Sequence, residues 1–71
     1  MIRPARYRVY KRVQGRCYYA CRHSGGRFFF SYTVGNAHVF TAEAAELYVR
    51  RANGVLKSIG QEPTFDKELI T

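Results

Sequence analysis

The sequence predicts an α+β domain, with a three-stranded antiparallel sheet packed against one C-terminal amphipathic helix. Three observations predict it. Residues 6–34 alternate apolar and basic side chains in three runs separated by glycine turns. Residues 42–59 carry apolar side chains at helical spacing behind a threonine. A length of 71 residues leaves room for one such two-layer unit, so residues 1–71 read as a single small domain.

Residues 1–5 form a short lead-in, where Pro4 discourages helix and Arg3 adds charge. Strands are predicted over residues 6–13, 16–22 and 27–34. Side chains two apart share a face of a strand. In the first strand Tyr7, Val9 and Val13, with Lys11 among them, oppose Arg6, Arg8, Tyr10 and Arg12. In the second, Cys17, Tyr19 and Cys21 oppose Arg16, Tyr18, Ala20 and Arg22. In the third, Phe28, Phe30, Tyr32 and Val34 oppose Arg27, Phe29, Ser31 and Thr33. The expectation is that the three apolar sides share one core and the three basic sides one outer face. Gln14-Gly15 and Ser24-Gly25-Gly26 supply the positive φ angles that tight turns need.

Gly35-Asn36 is a further turn, and residues 37–40 are a candidate fourth strand. Thr41 is a predicted N-cap, with Glu43 in the first helical turn. Ala45, Tyr48, Val49, Ala52, Val55, Leu56 and Ile59 form the stripe expected to cover the sheet, with Glu43, Glu46, Arg50, Asn53 and Lys57 opposite. Gly60 is placed to end the helix. In the tail, residues 61–71, Phe65, Leu69 and Ile70 are expected to pack back on the core or on a second subunit, with residues 64–71 as one helical turn. Homodimerisation is an ordinary way for so small a core to add buried area.

The net charge is +7, and its distribution is uneven. Residues 1–40 hold eight basic residues and no acidic ones, whereas residues 41–71 hold four basic and five acidic. The excess therefore sits on the strand half and points to an anionic partner docking on the sheet. No apolar run follows the basic N-terminus, and no segment approaches ~18 consecutive apolar residues. Those two facts predict a cytoplasmic protein with no membrane partner.

Chemistry is sparse. His23 and His38 are the two histidines, and no nucleophile–base arrangement accompanies them. The acidic residues are expected in the helix and tail, away from the basic sheet, so no strand supplies the carboxylates of a metal-dependent nuclease. Cys17 and Cys21 lie roughly 13 Å apart along one strand, too far to bridge or to share one zinc ion. They read as buried thiols. No catalytic residue, metal ligand or cofactor is expected.

The candidate binding residues are Arg6, Arg8, Tyr10, Arg12, Arg16, Tyr18, Arg22, Arg27 and Phe29. The arginines suit phosphates and guanine edges, and Tyr10, Tyr18 and Phe29 suit stacking on unpaired bases. The first expectation is a small non-enzymatic nucleic-acid-binding module, with duplex DNA as the partner.

A resemblance covers residues 6–57. Gly25-Gly26-Arg27 leads into a strand, Phe40-Thr41-Ala42-Glu43-Ala44-Ala45 follows, and Tyr48 comes after. This order resembles the DNA-binding domain of plant ethylene-response factors and is similar to the arm-binding domain of phage integrases. In those domains the sheet enters the major groove and the helix backs it. The resemblance implies base and phosphate contacts from Arg6, Arg8, Arg12, Arg16, Arg22 and Arg27. Tyr18 and Tyr19 stand where that family has tryptophans on its second strand. The helix entry is also similar to that of small phage-encoded proteins. A second expectation is therefore an inhibitor of the anti-CRISPR type, docking the same face on an acidic or nucleic-acid-binding host protein complex.

Overall fold

Two consecutive residues with positive φ, Gln14 at 49° and Gly15 at 79°, close the first hairpin. They join β1 (Arg6–Val13) to β2 (Arg16–Arg22) in the computed structural model, which describes residues 4–22 and 25–70. Arg3 of the lead-in and Ser24 of the second turn lie outside the described residues, as does His23. After β3 (Phe28–Ser31) comes a 3-10 turn, Val34–Asn36, so the third strand is shorter than predicted. A two-residue β4 (Phe40–Thr41) leads directly into α1 (Ala42–Ser58), and β5 (Phe65–Leu69) follows. The predicted α+β class is the observed one, with five antiparallel strands and the helix inserted before the last of them.

β1 is the centre of the sheet. Along one edge it pairs with β5, from Tyr7 opposite Leu69 to Lys11 opposite Phe65. Its other edge is shared. β2 holds the C-terminal half, from Tyr10 opposite Tyr19 to Val13 opposite Arg16, while β4 holds Arg6 and Tyr7. The His38 amide donates to the Ala20 carbonyl at 2.9 Å, tying the approach to β4 onto β2. β3 lies outside β2.

Residues paired across a ladder share a face. The tight turn sets Val13 against Arg16, so odd residues of β1 match even residues of β2. The expected phase of β2 is therefore inverted. Tyr18 and Ala20 lie on the helix side with Val9 and Lys11, and Arg16 and Arg22 go with them. Cys17, Tyr19 and Cys21 lie on the outer side. β3 keeps its expected phase, because Phe30 pairs with Ala20 and Phe28 with Arg22 on the helix side.

The core is Val9, Ala20, Phe40 and Ala45, all buried, with Tyr7, Phe30, Tyr48, Val49 and Phe65 packed around them. Small side chains at 20 and 45 let sheet and helix approach closely, and rings fill the space between. Phe40 stacks on Phe28 at 5.7 Å and meets Tyr48 at 5.6 Å and His38 at 4.8 Å. His38 is thus a packed ring, between Phe28 and Phe40. Tyr19 and Tyr32, expected beneath the helix, are not there; Tyr32 is 72% exposed.

The helix begins as predicted. The Thr41 hydroxyl accepts from the Ala44 amide at 3.1 Å, and Glu43 occupies the first turn. Gly60, at φ 79°, reverses the chain so that the Gln61 amide reaches the Leu56 carbonyl at 2.8 Å. Asn53, expected on the solvent side, is half-buried and bonds the backbone of Phe65 twice, accepting from its amide and donating to its carbonyl, each at 3.0 Å. The tail is accordingly a strand and not a helical turn. Phe65, Lys67 and Leu69 face the helix side, and Asp66 and Glu68 the outer side.

Lys67 also bonds Glu46 of the helix. That hydrogen bond first, and the ammonium charge second, hold the Glu46 carboxyl below its ordinary 4.5. The same bond raises Lys67 above its ordinary 10.5. A carboxyl lowered by folding stabilises above its unfolded pKa and loses that contribution as pH falls through the folded value. A raised lysine contributes below its unfolded pKa and loses the contribution as pH rises through the folded one. The link between helix and β5 is thus present between about pH 4.5 and 10.5. Both groups are solvent-accessible, so the effect is small. Urea midpoints measured from neutral to acid pH should fall less steeply for Glu46→Gln than for the native chain. Identical slopes would dismiss the pair as a stabilising contact.

Candidate nucleic-acid interface

The outer face of the sheet is built from four strands. β1 contributes Arg6, Arg8, Tyr10 and Arg12, as predicted. β2 contributes Cys17, Tyr19 and Cys21, and β3 contributes Phe29 and Ser31, with Arg27 immediately ahead of β3 in sequence. β5 contributes Asp66 and Glu68, opposite Tyr10 and Arg8 respectively. The structure therefore gathers Arg6, Arg8, Tyr10, Arg12 and Phe29 of the predicted set on one side, and Arg27 precedes β3 without being part of the ladder. Arg16, Tyr18 and Arg22 belong to the opposite side, where the Arg22 guanidinium lies 6.0 Å from the Phe28 ring.

Two further corrections concern charge and sulfur. Carboxylates do reach the sheet, because β5 is a strand and sets Asp66 and Glu68 beside the arginines of β1. Arg8 Nη1 donates to Glu68 Oε1 at 2.8 Å, so one arginine of the face is already paired. Among the described residues, Arg6, Arg12 and Arg27 make no ion pair. Cys21 is buried as expected and donates weakly to the Tyr19 carbonyl at 3.4 Å. Cys17 is half-buried on the outer face rather than in the core.

Tyr10 and Tyr19 are direct cross-strand partners, with ring centroids 6.1 Å apart and planes tilted by 55°. Burial, and then the neighbouring Asp66 carboxylate, raises the Tyr10 phenol above its ordinary range. Burial, and then Glu68, does the same for Tyr19. Both phenols therefore stay protonated at neutral pH and keep a donor hydrogen. Tyr19 was missed because its strand was phased wrongly; the turn register would have found it.

The result is a basic-aromatic lane over β1, β2 and β3, bordered along β5 by acidic groups. It can meet phosphates with its unpaired arginines and flat apolar groups with its rings. No helix among the described residues is long and apolar enough to cross a membrane. Comparison with known proteins finds no family model, no curated protein and no solved structure that matches this chain.

Proposed function

We propose that this chain is a non-enzymatic nucleic-acid-binding module that holds a single strand on the outer face of its sheet. The observation that carries the reading is the Tyr10–Tyr19 pair, set along β1 with Arg6 and Arg12, while Arg27 immediately precedes β3 in sequence. Bases have two apolar faces and stack on such rings whatever their identity. The likeness to three-stranded DNA-binding domains supports a sheet-borne contact, through the element order and the Phe40–Tyr48 motif. Their duplex mode draws on arginines from all three strands, and here Arg16 and Arg22 point to the other side. Asp66 and Glu68 would also repel the second phosphate backbone of a duplex along β5. A single strand avoids both difficulties.

The test is a fluorescence-anisotropy titration with labelled oligonucleotides of about ten nucleotides, single- and double-stranded, at several salt concentrations. Tyr10→Leu and Tyr19→Leu should each weaken single-strand binding about tenfold, whereas the phenylalanine variants retain it. Three phosphate contacts give a slope of log K on log salt near −2. Undetectable binding at ~50 mM salt, or full affinity in the leucine variants, would refute the reading.

A further inference from the structure

The helix carries more apolar surface than the sheet can cover. Ala45, Tyr48, Val49, Ala52 and Leu56 face the strands. A second row, Leu47, Arg51, Val55 and Ile59, recurs every four residues on the flank beside β3. Leu47 is 45% exposed, Val55 61% and Ile59 63%. Between this flank and the Phe28 and Phe40 rings runs an open apolar groove of about 510 Å³, with Tyr48 at its floor. Its helix wall is low at Ala44 and Ala52, one turn to either side of Tyr48, which lets a second helix lie close.

We propose that this groove receives an acidic amphipathic helix of another protein, with its apolar residues against Leu47, Val55 and Phe28 and its carboxylates on Arg51 and Arg22. Charge decides the occupant. Arg51 is the one side chain of the groove lining that is charged at neutral pH, and Arg22 lies over the β3 wall at Phe28. Neither makes an ion pair among the described residues. A second copy of this chain docking by the same groove would set its own Arg51 and Arg22 against these arginines. A helix with i, i+4, i+7 apolar anchors matches a wall built on one helix face, and flanking glutamates supply the missing counter-charge. This surface is on the opposite side of the sheet from Tyr10 and Tyr19, so it stands independently of the nucleic-acid reading.

The experiment is a titration of the isotope-labelled full chain by nitrogen–proton correlation spectra. The probe is a synthetic amphipathic helix of about 15 residues with leucine anchors and glutamates elsewhere. A lysine-for-glutamate version and a composition-matched scramble serve as controls. The glutamate helix should give saturable shifts at Phe28, Leu47, Arg51 and Val55. Leu47→Glu should weaken it more than about tenfold, and Arg51→Glu should transfer preference to the lysine helix. These positions are exposed, and retained spectral dispersion would verify that the variants fold. Tyr10→Leu should bind the helix like the native chain. Equal binding of the scramble, or an unaltered preference in Arg51→Glu, would overturn the proposal. So would sedimentation showing that the chain self-associates through this groove and that Leu47→Glu makes it monomeric.

Discussion

Replacing Phe40 with alanine should lower stability by about 3–5 kcal/mol. The ring is 6% exposed and touches Phe28, Tyr48 and His38, which come from three separate segments. Its backbone pairs β4 with Tyr7 of β1, and the next residue caps the helix. Removing it strips the ring contacts where sheet, helix and the 37–40 segment converge. A domain of this size has a total stability of only a few to about 10 kcal/mol. The alanine variant should therefore be largely unfolded at moderate urea, with loss of dispersion throughout its spectrum. Phe40→Leu should lose less than half as much. Urea unfolding followed by circular dichroism checks both, and an alanine variant within about 1 kcal/mol of native would show that this ring is not central.

Asn53→Ala should remove about 2–3 kcal/mol, by a different route. Little apolar surface changes. The loss comes from the amide and carbonyl of Phe65, which lose both side-chain partners at once. Asn53→Asp separates the two bonds: the carboxylate still accepts from the Phe65 amide but faces the carbonyl with no donor. It should be no better than alanine. Hydrogen exchange locates the damage. Amides along β5 should lose protection first, while those of the β1–β2 hairpin retain theirs. Uniform loss of protection across the sheet would mean that the clasp is not local to β5.

Much of this architecture was legible in the residues. Thr41 and Gly60 carry helix-end chemistry within a few positions of sequence, and both behave as their types require. Alternation within each strand was also readable. The relation between β1 and β2 is readable too, from the turn rather than from polarity. Gln14-Gly15 as a two-residue loop already requires Val13 to face Arg16, and stepping back from that pair puts Ala20, not Cys21, beside the core. Polarity alone sets all the arginines on one side, whereas Ala20 is the most buried residue of β2. β5 was harder. Phe65, Lys67 and Leu69 do alternate with Asp66 and Glu68, but a lysine on the inner side disguises the pattern. Its ammonium lies over the Tyr7 ring, 5.3 Å from the centroid, and also meets Glu46. The acidic border of the outer face depends entirely on that pairing, so it was invisible until the two ends of the chain came together. The groove was hidden for a similar reason: Val55 and Ile59 look like core residues until the width of the sheet is known.

The central position of β1 has a kinetic side. Along one edge its main neighbour is the next segment of the chain and closes through a two-residue loop; the strand on the opposite edge is met only after more than fifty intervening residues. Short loops close fast and distant ones slowly, so the hairpin should be in place while the opposite border of β1 still awaits its mate. During that interval the strand is an open ribbon, vulnerable to a stranger's ribbon. Arg6, Arg8 and Arg12 stud it, and like charges on a second molecule would push such a trespasser away.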